Sequence, residues 1–211
     1  MFYLVKTPWL LKRLYSRCCW EIPANSEKII YLTFDDGPHP MVTSFVLDVL
    51  KKYNAKATFF CIGKNVQQHP DIYKRILNDG HQTGNHTQNH LNGWKTDNNS
   101  YINDIVTAKN YINSKLFRPP YGRIRKKQID VLRNADHNFE IIMWTVLSGD
   151  FDTSVTHQVC IDRVVNNARN GSIIVFHDSE KAFPRLQNAL PVILENLTSK
   201  GYRFEKIQSK K

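Results

Sequence analysis

The stretch Tyr31–Pro38 reads YLTFDDGP, an apolar run that ends at two adjacent aspartates and a Gly-Pro turn. Like charges this close repel each other, so the pair Asp35 and Asp36 needs an explanation. From Ile29 to Phe34 the residues are those of a buried strand. The apolar positions from Val42 to Tyr53 have the spacing of one helix face. This predicts a strand–turn–helix unit with acidic residues at the end of its strand.

Strands and helices are predicted to alternate along the rest of the chain. Strand signals are short apolar runs, and helix signals are apolar positions at helical spacing followed by Gly or Asn. This alternation implies a parallel sheet, either open or closed into a barrel. The further predicted strands are 55–62, 81–85, 140–144, 172–177 and 202–207, and the helices are 66–78, 101–116, 128–134, 155–170 and 184–200.

Polar residues that look out of place follow five separate strands or short apolar runs. Ligand sites in α/β folds lie at the carboxyl ends of parallel strands, and a barrel gathers those ends around one axis. Because ~250 residues are typical of eight βα units, this shorter chain predicts a distorted (β/α) barrel of the α/β class with fewer than eight regular units. The residues at the five junctions are Asp35 and Asp36, His86 and His90, Arg118 and Tyr121, Asp150, and His177.

Three of these residues have the chemistry of a metal site. His86 and His90 are four residues apart, so on one helical turn they would share a face. Such pairs are common on protein surfaces without a metal. A carboxylate from Asp36 completes a set of three ligands that leaves coordination positions open for water and substrate. We therefore predict one divalent ion here, which would also offset part of the aspartate repulsion.

The second aspartate is then free for acid–base work. Because zinc brings the pKa of bound water to about 7, a weak base such as Asp35 is sufficient to activate that water. The alternative is a solvated Asp-Gly turn, which explains the glycine but not the histidines. Arg118 would hold Asp35 ionised through a charge-assisted pair, or would be a surface arginine before a turn. The backbone N–H of Tyr121 could point at a developing oxyanion.

His177 ends a strongly apolar strand. A lone histidine in this position is either a structural residue or a general acid that protonates a leaving group opposite the base. A histidinium needs a carboxylate partner that keeps it charged and oriented. We expect Asp150 to be that partner, with Asp152 and Asp178 as the nearby alternatives.

Five motifs in the chain resemble, in order, those of the polysaccharide deacetylase family, also known as carbohydrate esterase family 4 or the NodB-homology domain. One such motif would be a weak signal, but five in the right order make a chance resemblance very unlikely. The resemblance extends from Lys28 to the C-terminus. The motifs are TFDDGP at 33–38, GNHTQNH at 84–90, RPPYG at 118–122, WTVLSGDF at 144–151 and IVFH at 174–177.

The resemblance implies a NodB-like distorted barrel that holds one metal ion, usually zinc and sometimes cobalt or manganese. It implies hydrolytic removal of acetyl groups, mostly from N-acetylglucosamine units of chitin, peptidoglycan or related glycans. Carried over position by position, it makes Asp35 the base with Arg118 as its partner, Asp36, His86 and His90 the metal ligands, and His177 the acid with Asp150 as its partner.

Two positions depart from the family pattern. The fourth motif usually has Asp-Trp, where this chain has Phe151 after its aspartate, and the fifth usually has Leu-x-His, where this chain has Val175. Both positions line the acetyl pocket in the family, so the departures bear on substrate more than on chemistry. Together with Trp144 and Tyr121, they are the expected substrate-contacting or oxyanion residues.

Four kinds of function compete at this stage. The first is a metal-dependent N-deacetylase acting on a polysaccharide, an oligosaccharide or a lipid-linked glycan. The second keeps the fold but changes the bond, as in an O-acetyl esterase or a hydrolase of small cyclic amides. The third, a binding module with a dead site, is disfavoured because Asp35 and His177 are both present. The fourth is a nucleic-acid binder, which lacks a supporting motif.

Composition and charge bound the remaining properties. The chain has 41% hydrophobic residues and a net charge of +10, which fits a globular protein with either an anionic partner or high solubility. Residues 1–25 form a basic and apolar segment, predicted to be helical, ahead of a catalytic domain at 26–211. This segment resembles no clear signal peptide. It either contacts a membrane surface or packs on its own domain, and we expect a cytoplasmic or membrane-peripheral location.

Overall fold

The computed structural model of the chain describes residues 3–23 and 27–209. Strands and helices alternate within these residues, as the sequence predicts. The strands are β1 Ile29–Asp35, β2 Ala57–Cys61, β3 Gln82–Asn85, β4 Leu116–Phe117, β5 Glu140–Ile141, β6 Val146–Leu147, β7 Ile173–His177 and β8 Arg203–Phe204. The helices are α1 Trp9–Leu14, α2 Pro40–Lys52, α3 Gly63–Gln68, α4 Pro70–Asn78, α5 Asn98–Ala108, α6 Lys126–Arg133, α7 His157–Asn167 and α8 Phe183–Ser199.

The strands form one parallel sheet in the order β5-β4-β3-β2-β1-β7-β6, with β8 pairing to the start of β1. The connections between neighbouring strands pass through helices, as parallel strands require. Strands β5 and β6 are the two ends of the strand order, and several strands contain only two residues. The predicted distorted barrel with imperfect closure is therefore confirmed.

Alternation along β1 sorts its side chains into two environments. Ile30, Leu32 and Phe34 face outward and pack in the main core against the helices. The ring of Phe34 lies 5.1 Å from that of Phe59 and 5.6 Å from that of Phe176. The intervening residues of β1 point into the barrel, because successive side chains of a strand point to opposite faces.

The inner face is layered by the register between β1 and β7. Tyr31 is paired with Ile173, Thr33 with Val175, and Asp35 with His177. The lowest layer is an apolar plug that includes Tyr31 and Ile173. The top layer, at the carboxyl ends of the strands, contains the acidic Asp35 and the basic His177. Alternation along the strands therefore places charged side chains at this end of the barrel, above an apolar interior.

The N-terminal segment lies along the two ends of the strand order. Lys6 bridges antiparallel to Val146 of β6, and Cys19 bridges parallel to Ile142, just after β5. Helix α1 connects these two stretches, and its Leu11 packs on an apolar cluster of the barrel. The described residues 3–23 therefore supply backbone hydrogen bonds at both ends of the sheet. The division of the chain at residue 25 stays a prediction.

Several predicted elements differ from the structure. The predicted strand 202–207 keeps only Arg203–Phe204, and the predicted helix 155–170 is shortened to His157–Asn167. The predicted helix 66–78 is two helices, α3 and α4, because Pro70 lacks an N–H and its ring disfavours a helical conformation at His69, whose φ is −130° and ψ is 57°. The predicted helix 101–116 begins earlier, at Asn98, where Asp97 caps it, and ends at Ala108. The predicted strand 140–144 keeps only Glu140–Ile141.

Within residues 3–23 and 27–209, no helix combines the length and the apolar character that crossing a bilayer would require.

Candidate active site

Asp35 and Arg118 form an ion pair at the floor of the site. Arg118 Nη1 lies 2.8 Å from Asp35 Oδ1, and the arginine side chain is fully buried. Asp35 ends β1, and Arg118 follows β4 directly, so both side chains come from carboxyl ends of strands. The structure therefore brings together the two residues that the sequence paired as base and base-orienting partner.

The guanidinium of Arg118 has an acceptor for each of its nitrogens. Its Nε donates to the carbonyl of Ile142 at 3.2 Å, and its Nη2 donates to the carbonyl of Met143 at 3.0 Å. Its Nη1 also donates to Thr33 Oγ1 at 2.6 Å, and its Cζ lies 4.1 Å from the centre of the Phe60 ring. Burial lowers the pKa of Arg118, and the carboxylate of Asp35 opposes that shift. A buried cation held this way fixes the direction of the Asp35 carboxylate.

Asp36, His86 and His90 converge beside this pair. Asp36 Oδ1 lies 3.2 Å from His90 Nε2 and 3.7 Å from His86 Nε2. One ligand atom from each residue lies within 4.8 Å of the other two. Asp36 adopts a positive φ of 83°, a conformation that aspartate tolerates better than most residues. The backbone turn therefore aims the two neighbouring aspartates at different partners.

The protonation states of these groups fit a metal ion. His86 Nδ1 lies 2.8 Å from the carbonyl of Arg118, so Nδ1 carries the proton and donates, which leaves Nε2 as a free lone pair facing Asp36. Burial lowers the pKa of His86 to about 4, which keeps the ring neutral. Burial acts to raise the pKa of Asp36, but its hydrogen bond to His90 and the nearby histidines lower the pKa overall. Neutral imidazole and ionised carboxylate are the metal-binding forms.

The sequence spacing predicted that His86 and His90 share one face of a helical turn, and this prediction is wrong. The segment after β3 is a loop in which Thr87 and His90 have positive φ values of 67° and 58°. An α-helix of L-residues cannot contain such angles. The two histidines meet because the loop folds back, with ring centroids 5.2 Å apart.

Asp104 of helix α5 holds this loop in place. Its Oδ2 accepts from the backbone N–H groups of Gln88 at 2.9 Å and Asn89 at 3.0 Å. Its Oδ1 accepts from the Asn89 side chain at 2.6 Å. Three charge-assisted bonds to one loop explain how His90 is positioned without a helix.

His177 and Asp150 form the second charged pair of the site. Asp150 Oδ1 lies 2.8 Å from His177 Nδ1, and its Oδ2 accepts from the His177 backbone N–H at 2.8 Å. Burial acts to lower the pKa of His177, but the charge and hydrogen bond of Asp150 outweigh it and raise the pKa to about 9. The imidazole is therefore positively charged at neutral pH. Of the three carboxylates that the sequence offered as partners, Asp150 is the one at hydrogen-bond distance.

The four expected substrate-contacting residues lie around these pairs. The Phe151 ring lies 5.1 Å from the His177 ring, and the Tyr121 ring lies 4.7 Å from the His90 ring. The Trp144 ring lies 5.9 Å from the Arg118 guanidinium. Val175 lies on the inner face of β7, one layer below His177. Their roles toward a substrate stay predictions.

Gly122 allows a close contact between its turn and the ring of Trp144. Gly122 has a φ of +64°, and a Cβ added to it would lie 2.6 Å from the Trp144 ring. The turn that carries Tyr121 and the indole of Trp144 can therefore approach each other only because residue 122 has no side chain.

The comparisons with known proteins identify the family of the chain. The family model described as "Polysaccharide deacetylase" matches residues 23–139, more than half of the chain. A peptidoglycan-N-acetylglucosamine deacetylase of Bacillus cereus is 38% identical over 190 residues, which is 88% of this chain and 88% of the relative. The chain belongs to the polysaccharide deacetylase family. It is therefore an enzyme of the carbohydrate deacetylase class.

A solved structure and a further sequence relative match most of the length of this chain. The crystal structure of a peptidoglycan N-acetylglucosamine deacetylase in complex with an N-oxidanyl-benzamide compound has a TM-score of 0.85 and 34% identity, and the match covers 95% of both chains. A peptidoglycan-N-acetylmuramic acid deacetylase of Bacillus subtilis, PdaC, is 34% identical over 187 residues, which is 85% of this chain but 38% of PdaC. Members of this carbohydrate deacetylase family thus resemble the chain along nearly its full length.

Two supporting residues of this deacetylase were missed by the sequence reasoning. Asp104 lies on a helix face otherwise formed by Tyr101, Ile105 and Ala108, so a carboxylate on a buried helix face was an available signal. Thr33 is a buried hydroxyl that accepts from Arg118 and donates to the Ile174 carbonyl. A threonine inside a strand is too ordinary to be a signal.

The two alternative partners proposed for His177 have other contacts. Asp178 accepts from the Gly37 N–H at 3.0 Å and from the Thr43 hydroxyl, and its own N–H donates to the Asp35 carbonyl at 3.0 Å. Burial raises the pKa of Asp178 to about 7. Asp152 accepts from the hydroxyl of Tyr3 at 2.8 Å. Asp178 therefore stabilises the turn that carries Asp36 through these hydrogen bonds. The sequence suggested it only as an alternative carboxylate partner for His177.

Proposed function

We propose that the chain is a metal-dependent N-deacetylase that hydrolyses the acetamido group of N-acetylglucosamine residues in a peptidoglycan-type glycan. The observation that carries the proposal is the meeting of three groups at one end of the barrel. They are the ligand set of Asp36, His86 and His90, the Asp35–Arg118 pair and the His177–Asp150 pair. The substrate class is supported by the names of the relatives.

Two imidazoles and one carboxylate suit zinc, with cobalt or manganese as alternatives. Three protein ligands leave coordination positions open, which is the arrangement of a catalytic rather than a structural site. When bound, such an ion acts as a Lewis acid that lowers the pKa of water and polarises a carbonyl. An N-oxidanyl-benzamide, the compound class bound to one solved relative, is a hydroxamic acid, and this class can chelate divalent metals.

The two charged pairs divide the proton transfers between them. Asp35, held by Arg118, accepts the proton of the attacking water. His177 carries a proton at neutral pH, because Asp150 raises its pKa to about 9. It gives this proton to the amide nitrogen, which cannot leave as an anion. The balance is one water consumed, one acetate and one amine released.

Residues around the pairs orient the acetyl group and the oxyanion. We assign to the backbone N–H of Tyr121, in the turn after Arg118, the role of stabilising negative charge on the carbonyl oxygen. Trp144, Phe151 and Val175 would supply apolar surface for the acetyl methyl. Phe151 has a smaller ring than the tryptophan that is usual in the family.

The decisive experiment measures acetate release. Purified protein is assayed on chitooligosaccharides, on muropeptides and on O-acetylated sugars, before chelation, after chelation, and after return of zinc, cobalt or manganese. We expect acetate from N-acetyl substrates, loss on chelation and recovery with metal. Release from O-acetyl sugars alone would replace the proposal with an esterase, and activity that persists after verified metal removal would contradict the metal dependence.

We further propose that helix α1 contacts an anionic membrane surface. Trp9, Leu10 and Leu14 are 70%, 53% and 54% exposed, while Leu11 packs on the barrel. At 100° per residue the three exposed side chains share one face with Arg13, so the outward side of the helix is apolar and basic. A patch of this kind, on a chain with a net charge of +10, complements anionic lipid.

A further inference from the structure

Residues 3–7 form an extended segment that pairs with β6 and is called the N-terminal strand below, and it lies next to the acid side of the site. Leu147 N–H donates to the Val5 carbonyl at 2.9 Å, and Thr7 N–H donates to the Thr145 carbonyl at 3.1 Å. Because this pairing is antiparallel, the chain runs toward the carboxyl end of β6 as it approaches residue 3. Tyr3 therefore lies next to the loop after β6, which carries Asp150.

Tyr3 has specific contacts with that loop. Its hydroxyl donates to Asp152 Oδ2 at 2.8 Å and accepts from Arg163 Nη1 at 2.7 Å. The Arg163 guanidinium also lies 5.2 Å from the centre of the Tyr3 ring. A Cβ added to Gly149, whose φ is +79°, would lie 2.9 Å from the Tyr3 hydroxyl. The phenol thus occupies a fitted place between the loop and helix α7.

A chain of ring contacts connects Tyr3 to the acid. The centre of the Tyr3 ring lies 5.0 Å from that of the Phe151 ring, and the centre of the Phe151 ring lies 5.1 Å from that of the His177 ring at an interplanar angle of 68°. Both distances and tilts are those of favourable aromatic pairs. Asp150 and Arg118 fix His177 and Asp35 from below, but Phe151 is a half-buried side chain that needs a support of its own.

We propose that Tyr3 is a positioning residue of the reaction, holding Phe151 against His177 so that the N-terminal strand forms the outer wall of the pocket on the acid side. This inference rests on the proposed function for the role of His177. Tyr3 does not touch the reacting atoms. Its ring backs Phe151, and its hydroxyl ties that ring to Asp152 and Arg163.

The variants Tyr3→Ala, Tyr3→Phe and Leu4→Ala separate this role from general stability. Tyr3→Ala removes the ring, Tyr3→Phe keeps the ring and loses the two hydrogen bonds, and Leu4 is an exposed neighbour on the same strand. We expect Tyr3→Ala to lower kcat roughly threefold to tenfold, while the melting temperature falls by no more than about 5 °C. Tyr3→Phe should retain most of the rate, and Leu4→Ala should match the wild type.

A second measurement follows the ring of His177 without any turnover. Imidazole ¹H–¹⁵N spectra, assigned with His177→Asn, should show that Tyr3→Ala shifts the His177 signals while Tyr3→Phe and Leu4→Ala do not. Slow amide exchange at Leu147 reports that the N-terminal strand is still paired. An inactive wild type would count against the proposed function, and the spectra would still decide the role of Tyr3.

Two results would overturn the inference. One is an unchanged His177 spectrum and unchanged kcat in Tyr3→Ala. The other is a shift that occurs only together with loss of protection at Leu147, because Tyr3 would then merely anchor the strand.

Discussion

Asp35 and His177 are register partners on the adjacent parallel strands β1 and β7. Arg118 pairs with the Asp35 carboxylate on one side of this layer, and Asp150 pairs with the His177 imidazole on the other. A hydrolysis that uses both a base and an acid needs the two groups close together in different surroundings. The sheet register supplies this arrangement directly.

The first prediction concerns the base. Asp35→Asn should lower kcat by about 100-fold or more, because a neutral amide cannot accept the proton from water. Metal content, measured by elemental analysis, should stay at the wild-type level since the ligand set is untouched. Asp71→Asn, at a carboxylate that is 93% exposed on α4, is the matched control and should be fully active. Near-normal turnover by Asp35→Asn would remove Asp35 from the role of base.

The second prediction concerns the ligands. His86→Ala should weaken zinc affinity at least about tenfold, measured by calorimetric titration of the chelated protein, because one of three donors is lost. His157→Ala removes an exposed histidine from the start of α7 and should bind zinc like the wild type. If both variants bound zinc equally well, the metal would lie elsewhere in the protein.

The third prediction concerns the pH profile. Asp150 raises the pKa of His177 to about 9 against the opposing effect of burial. An acid must be protonated to act, so kcat/KM should fall as pH rises through the pKa of His177. In Asp150→Asn that alkaline limb should move to lower pH by at least about one unit, because the stabilising negative charge is gone. An alkaline limb at the same pH in both proteins would show that another group sets it.

The sequence was informative wherever a chemically distinctive residue follows an apolar strand. Arg118 follows the apolar strand β4 and His177 ends the apolar strand β7, whereas His86 follows the polar strand β3, and parallel strands gather their carboxyl ends by geometry alone. The structure brings the predicted metal ligands and both charged pairs to this one end of the barrel, with Val175 one layer below. This part of the prediction depended on local signals and on the order of the five motifs.

Long-range contacts explain what the sequence could not predict. The His86–His90 loop donates hydrogen bonds to Asp104, and the ring of Phe151 contacts that of Tyr3, which is 148 positions away along the chain. Neither contact leaves a periodic or compositional trace. The break at Pro70 is different, because a proline within a helical pattern is itself a local signal that a helix ends before it.

The fourth prediction concerns the membrane. The protein should float with vesicles of phosphatidylcholine and 30% phosphatidylglycerol, and less with pure phosphatidylcholine or in 0.5 M salt. Trp9→Ser with Leu10→Ser should weaken this binding by about tenfold or more, because the buried apolar area is lost. Leu77→Ser, at a leucine that is 44% exposed on α4, is the matched control.

Two outcomes would contradict the membrane proposal. One is equal flotation of the double variant and the wild type. The other is a concentration-dependent dimer in sedimentation that the double variant abolishes, since the exposed face of α1 would then meet a second copy of the chain.

The fifth prediction concerns stability and uses a histidine outside the site. His81 is buried, its Nδ1 accepts from the Ala57 N–H at 3.2 Å, and its ring lies 5.5 Å from that of Phe59. Burial, together with the charge of Lys56, lowers the pKa of His81 from 6.5 to about 4. The unfolded chain therefore binds a proton at this residue more readily than the folded chain does.

The sign of the effect follows from proton linkage. Between pH 6.5 and pH 4 the unfolded state gains a proton at His81 that the folded state rejects, so the free energy of unfolding should fall as pH decreases. From pH 7 to pH 5 this one group should cost about 2 kcal/mol. His81→Asn keeps an acceptor for the Ala57 N–H but cannot titrate. Urea unfolding at both pH values should therefore show a smaller loss in the variant, and equal losses would place the acid sensitivity of the fold at other groups.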